Sequence, residues 1–167
     1  MSRNPARYLA ASFAGGLALA VAAVPATVTA QTATDTFVVR ATVNSFCTMS
    51  AGDIDFGVYD PSSGSSATGS VLVRCTALTA YTIALDGGQS GNISQRRMAG
   101  AQSANLAYVL YTDAAHTTIW GDGSTGQTVA GTGSGSMQSY QVYGLIAAGQ
   151  TPPAGAYTDT ITATITY

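Results

Sequence analysis

Few side chains in this sequence can do chemistry, and their spacing argues against most of it. His116 is the only imidazole, so a Ser-His-Asp arrangement would have to use it. It lies in Asp113-Ala114-Ala115-His116-Thr117, with no Gly-x-Ser-x-Gly elbow in a strand-turn-helix setting. Gly133-Ser134-Gly135-Ser136 sits in a low-complexity stretch and does not qualify, so a turn histidine is the simpler reading. Asp53 and Asp55 share a face if their segment is extended and would then flank a cation. A calcium loop brings more carboxylates and a Glu, however, and the chain has no Glu; solvated carboxylates are the plainer account. Trp120-Gly121-Asp122-Gly123 has the composition of a sugar-stacking loop, although one Trp at a turn also serves as a partly buried lid on a core. Asn92-Ile93-Ser94 fits the glycosylation sequon, which matters only in a eukaryotic secretory pathway. Cys47 and Cys75 are the only thiols; with one His and no Cys-x-x-Cys they lack partners for a metal. The expectation is no enzyme, no cofactor and no metal site.

The elements that must position these residues follow from composition. The charged complement is six Arg and eight Asp, with no Lys and no Glu. Solvent-facing helices draw on Lys and Glu, whose unbranched chains lose little rotamer freedom there, so helical bundles are poor candidates. Charged residues make up 8% and the formal net charge is -2, which leaves no cationic surface to neutralise phosphates. Nucleic acid and acidic membranes are not expected partners. The 19 Gly and the many Ser and Thr suit turns and strand faces.

Arg3 and Arg7 precede an apolar run over residues 9–24, broken only by Ser12; Pro25 follows, then Val28-Thr29-Ala30. This pattern predicts a secretory signal over residues 1–30, cleaved after Ala30 or alternatively after Ala26. About 16 apolar residues fall short of the roughly 20 that span a bilayer, which argues against a membrane anchor. The mature chain, residues 31–167, then carries four Arg against eight Asp, has no further transmembrane run, and is long enough to bury a core. Export to an oxidising compartment allows Cys47 and Cys75 to bond. A loop of about 29 residues closed in this way is worth about 3.6 kcal/mol in the chain-entropy picture. Two buried free thiols are the alternative.

Strand signals recur along the mature chain. Phe37, Val39, Ala41 and Val43 share one parity, the alternation of a half-buried strand. Residues 53–59 form a second segment, ended by Asp60-Pro61 and a small-polar run over residues 62–70. Val71, Val73 and Cys75 alternate, as do Tyr81, Ile83 and Leu85 before the turn Asp86-Gly87-Gly88, and then Leu106, Tyr108 and Leu110. Residues 121–137 contain six Gly and read as a long loop with a short strand at residues 128–130. Residues 140–147 form another strand. The chain closes with Ile161, Ala163, Ile165 and Tyr167 alternating with Thr160, Thr162, Thr164 and Thr166, one apolar and one hydroxyl face. About seven short strands without helical period predict an all-β antiparallel sandwich of one domain.

Taken in order, these segments resemble the spore coat protein U domain family, which includes the major subunits of archaic chaperone-usher pili. The likeness rests on Cys47, Asp55-Phe56-Gly57-Val58-Tyr59, Val73-Arg74-Cys75-Thr76 and Tyr81-Thr82-Ile83-Ala84-Leu85-Asp86-Gly87-Gly88. It continues through Arg97-Met98, Leu106-Ala107-Tyr108-Val109-Leu110-Tyr111-Thr112-Asp113, Thr118-Ile119-Trp120-Gly121-Asp122-Gly123, Val142-Tyr143-Gly144 and Pro153-Ala154-Gly155-Ala156-Tyr157-Thr158-Asp159-Thr160.

The resemblance implies an immunoglobulin-like sandwich that lacks its final strand. It implies a periplasmic chaperone that fills the resulting groove, an outer-membrane usher, and identical or related subunits whose N-terminal segments replace the chaperone by strand addition. In this chain residues 31–46 are the candidate donor, with Phe37, Val39, Ala41 and Val43 as its plugs; the alternative is that they complete the chain's own sandwich. The closing strand, with Ile161, Ala163, Ile165 and Tyr167 on one face, would pair with the chaperone. The expected function is a polymerising structural subunit, exported through the periplasm to a pilus on the cell surface. The runner-up is a non-polymerising spore-coat or surface protein of the same fold. A sugar-binding adhesin comes third, because a tip adhesin needs a receptor domain beyond the pilin domain.

Overall fold

The structure, a computed structural model, describes residues 28–167; of the export signal expected over residues 1–30, all but the last three residues lie outside the described part. The chain divides after Arg40, and Ala41–Tyr167 is a compact unit of its own. Residues 28–40 carry no regular structure and are exposed throughout. Among the described residues no helix is long and apolar enough to cross a membrane.

Eight strands form this unit: β1 (Cys47–Ala51), β2 (Ser65–Cys75), β3 (Ala80–Leu85), β4 (Arg96–Ala99), β5 (Asn105–Tyr111), β6 (Val129–Thr132), β7 (Gln138–Ile146) and β8 (Ala163–Thr166). One sheet has the order β1-β2-β7-β5-β4 and the other β6-β3-β8, and every strand pair is antiparallel. The result is an immunoglobulin-like antiparallel sandwich. Its core is the inward parity of the long strands: Val71, Val73 and Cys75 on β2, Tyr81, Ile83 and Leu85 on β3, Leu106, Tyr108 and Leu110 on β5, and Val142 and Ile146 on β7. Each fully buried aliphatic side chain among them contributes about 1.5–3 kcal/mol. Cys47 and Cys75 face each other in the β1–β2 register and are disulfide-bonded, which ties the short edge strand to the longest strand of its sheet.

Several elements differ from the sequence expectation. The strand expected around residues 37–43 is absent: residues 28–46 form no ladder, and Phe37, Val39 and Val43 are 88%, 81% and 82% exposed. Alternation specifies a face, but not the sheet on which that face packs. Residues 53–59 are likewise not a strand. Ile54 and Phe56 turn inward, but Asp55 Oδ1 accepts the Gly57 N–H at 2.8 Å and Gly57 adopts φ +63, which breaks any ladder. The small-polar run over residues 62–70 is no connection beyond Gly64: β2 begins at Ser65 and pairs with β7 from there. Strand β4 was not expected, because its inward residue is a charged one, Arg96.

Candidate binding groove

β1 ends the five-stranded sheet and β8 ends the three-stranded one, so two open strand edges meet on one side of the sandwich. An open edge leaves a row of unpaired N–H and C=O groups. Between these edges lies a groove of about 480 Å³, whose apolar lining includes Ile54, Phe56, Leu110, Val142, Ile161 and Ala163. A second stretch of about 570 Å³ shares Ile54, Phe56, Met98 and Tyr157 with the first and carries the groove on towards Pro152 and Pro153. The floor of both stretches is the inner face of the five-stranded sheet, with Val71, Tyr108, Leu110 and Val142 under the first and Leu106 and Ile146 under the second.

One wall is the segment over residues 52–59, which lies directly on that inner face. A Cβ at Gly69 would overlap the Ile54 side chain, and one at Gly144 would overlap the Phe56 ring, so two glycines set how closely this wall seats. Phe56 also meets Tyr108 edge to face, with ring centroids 6.0 Å apart, and the Tyr59 hydroxyl donates to the Ala147 carbonyl at 3.0 Å.

The other wall, residues 157–163, is held by polar contacts. Ala99 and Thr158 exchange backbone bonds of 2.8 and 3.0 Å. Asp159 Oδ1 accepts from the Gln89 and Thr160 N–H groups at 2.9 and 2.8 Å, and Asp159 Oδ2 accepts from the Tyr108 hydroxyl at 2.8 Å. Burial and this bond to a carboxylate push the Tyr108 hydroxyl well above its ordinary pKa. Asp86 Oδ1 accepts from Thr162 N–H at 2.9 Å and Gly88 N–H at 3.0 Å, while Asp86 N–H donates to the Thr162 carbonyl at 3.1 Å. Behind this wall Arg96 is fully buried. Its Nε donates to the Asp86 carbonyl at 2.8 Å, Nη1 to Ile93 at 3.1 Å, and Nη2 to Trp120 at 2.9 Å and Leu85 at 3.4 Å. Burial lowers the guanidinium pKa, and Tyr108, Asp86, Asp159 and Asp122 oppose that shift.

Burial alone would raise the Asp86 pKa; the hydrogen bonds from Thr162 and Gly88, with the charge of Arg96, outweigh it and hold the carboxyl below its ordinary 3.8. A depressed folded value means that this carboxylate stabilises the fold above the unfolded value, and that the contribution disappears as pH falls through the folded one. Asp86→Asn keeps an acceptor but loses the charge. It should melt below the parent at pH 7, and the gap should close as the pH is taken below 3.8. Paired thermal melts across that range test this, and a gap independent of pH would count against it.

The residues singled out in the sequence are placed unequally. Ile161, Ala163 and Ile165 are half-buried, whereas Tyr167 is exposed. Ala163 and Ile165 pair with Leu85 and Ile83 of β3, and β8 has no ladder partner on its other side among the described residues. Phe37, Val39, Ala41 and Val43 stand exposed. Trp120 corrects the sugar-stacking reading: it is fully buried and its Nε1 donates to the Ile83 carbonyl at 3.1 Å, so no face is left for a sugar. His116 sits at φ +55 in a turn and packs edge to face on Tyr111. Asp53 and Asp55 are exposed. Sequence reasoning missed Arg96, Asp86 and Asp159 as the frame of the groove; the signal available was that Arg96 is one of only four cations in residues 31–167.

Comparison with known proteins agrees with this architecture. A crystal structure of the CsuC-CsuE chaperone-tip adhesion subunit pre-assembly complex, from the archaic chaperone-usher Csu pili of Acinetobacter baumannii, superposes with a TM-score of 0.58. At 23% identity over 75% of this chain the likeness is one of fold, and this chain spans 41% of the matched one. Protein U of Myxococcus xanthus is 36% identical over 156 residues, 83% of this chain and 87% of that protein. A family model, the Spore Coat Protein U domain, matches residues 33–164. With the family match spanning residues 33–164 and a relative 36% identical over most of both chains, this chain belongs to the Spore Coat Protein U domain family.

Proposed function

We propose that this chain is an exported structural subunit that polymerises by donor-strand addition into a surface pilus. The observation that carries this reading is a pairing of opposites: an apolar groove between two open sheet edges, and an unpaired, exposed segment with apolar side chains at every second residue. A strand laid in the groove completes the backbone bonds of the open edges and fills the space between Ile54, Phe56 and Ile161. Phe37, Val39, Ala41 and Val43 of one copy enter the groove of the next, a plug spacing of about 6.6 Å at two residues per side chain. Before assembly a periplasmic chaperone covers the same edge and pairs with β8 and the residues leading into it, Ile161, Ala163 and Ile165, with Tyr167 beyond; an outer-membrane usher passes the subunit to the cell surface. Family membership favours a second reading, a coat or surface protein of this fold that does not polymerise.

Material sheared from cells making the full chain separates the two. A donor-strand fibre should run without boiling as a ladder of multimers in detergent and collapse to one band on boiling, because the added strand dissociates only on unfolding. A stable monomer that purifies without a chaperone, with both edges protected from hydrogen exchange, would favour the coat reading instead.

A further inference from the structure

One pole of the sandwich carries exposed apolar side chains that the groove does not use. β1 begins there, β2 and β6 end there, and β3 and β7 begin there. The connecting turns are stitched together by backbone bonds: Thr76 N–H to Phe46 O at 2.9 Å, Leu78 N–H to Gly133 O at 2.8 Å, and Gly135 N–H to Cys75 O at 3.0 Å. From these turns and the start of β7 project Phe46, Leu78 and Met137, all exposed. Leu78 is the most telling. It is 88% exposed and holds φ +65, a left-handed conformation that disfavours a branched side chain and suits Gly or Asn. Folding of the lone chain gains nothing from a leucine there, so its use lies outside the lone chain.

The opposite pole, where β2 begins and β7 ends, is also apolar. Val58 is 95% exposed, and Pro61, Pro152, Pro153 and Ala154 line the groove mouth beside it. Building on the donor-strand reading, we infer that the pole bearing Phe46, Leu78 and Met137 docks on the pole around Val58 of the copy that receives the strand. The occupant follows from chain length and direction. β8 runs towards the Phe46 pole, since Thr166 pairs with Thr82 near the start of β3. A donor added antiparallel to β8, and so parallel to β1, runs the other way and leaves the recipient's groove at the Val58 pole, the end to which the groove lining extends past Pro152 and Pro153. Only three residues separate the last plug, Val43, from Cys47 at the start of β1, a reach of about 14 Å at full stretch. The donor's body must therefore stand with its Phe46 pole against the recipient's Val58 pole. The contact is head to tail and does not close on itself, which generates a filament.

The test places a photocrosslinking benzophenone amino acid at Leu78 of the full chain and irradiates fibres sheared from cells. The expected result is a covalent dimer whose crosslinked peptide from the second copy contains Val58 or residues 152–156. The same probe at Thr68, exposed on the outer face of β2, should give no dimer. Leu78→Asn, which suits the left-handed turn, should fold and keep the detergent-resistant ladder, and a benzophenone at Met137 in that background should lose part of its crosslink. A normal ladder with no crosslink from Leu78, or with crosslinks mapping elsewhere, overturns this docking alone. Absence of any ladder in the parent chain overturns the donor-strand reading, and the docking with it.

Discussion

Arg96→Ala should leave little folded protein. The side chain is fully buried and spends its donors on four backbone carbonyls, those of Leu85, Asp86, Ile93 and Trp120. These lie at the end of β3, in the turn after it, in the short 3-10 turn before β4, and at the buried Trp. Removal leaves several of them without a partner in a space that the guanidinium filled. Hydrogen bonds to charged groups contribute about 1.5–3 kcal/mol each, and an orphaned buried group costs about 1–3. A combined loss of about 4 kcal/mol or more is a large part of the 5–15 kcal/mol that keeps a domain folded. For a body of this size that corresponds to a fall in melting temperature of about 15 °C. Arg96→Lys should recover only part of it, because one ammonium cannot span carbonyls spread around a planar fork. A melt of the Ala variant within a few degrees of the parent would show that the four carbonyls find other partners.

Val39→Asp should abolish fibres without touching the stability of the subunit. In the lone chain the side chain is exposed and unpaired, so a carboxylate there has nothing to disturb. In the groove it would be buried among Ile54, Phe56 and Ile161 without a cation, and an unpaired buried charge costs several kcal/mol even after relaxation. At about 1.4 kcal/mol per decade, a cost of about 4 kcal/mol weakens strand addition roughly a thousandfold. The neighbour of opposite parity supplies the control. If residues 37–43 are the donor, Val38→Asp faces away from the groove and should assemble as the parent does. Unboiled gel ladders and melting curves of the two variants read the outcome directly. Equal assembly by both would remove residues 37–43 from the donor role.

The parity difference between Val38 and Val39 is legible in the sequence, and so is much of the frame. Alternation at Val71, Val73 and Cys75, at Tyr81, Ile83 and Leu85, and at Leu106, Tyr108 and Leu110 identifies strands and their inward faces, because a period of two has only one way to bury an apolar set. The pairing of Cys47 with Cys75 was one of two readings, narrowed by the scarcity of other ligands. What the sequence could not decide was which alternating segments find a sheet. Residues 37–43 and 163–166 alternate equally well, yet only the second lies in a ladder, because pairing depends on which distant strand the fold brings alongside, β3 for residues 163–166. Residues 65–70 look like a loop from their small polar side chains; they become the first half of the longest strand because β7 pairs with them from Ser65 onward, with Gly69 leaving room for Ile54, contacts between distant segments that local propensity does not encode. Tertiary structure alone makes Arg96 a buried cap, since its four acceptors come from three separate stretches of chain: Leu85 with Asp86, Ile93, and Trp120. Composition and period thus determined the class of fold and its core faces, whereas the groove, its walls and its charged support exist only once distant segments meet.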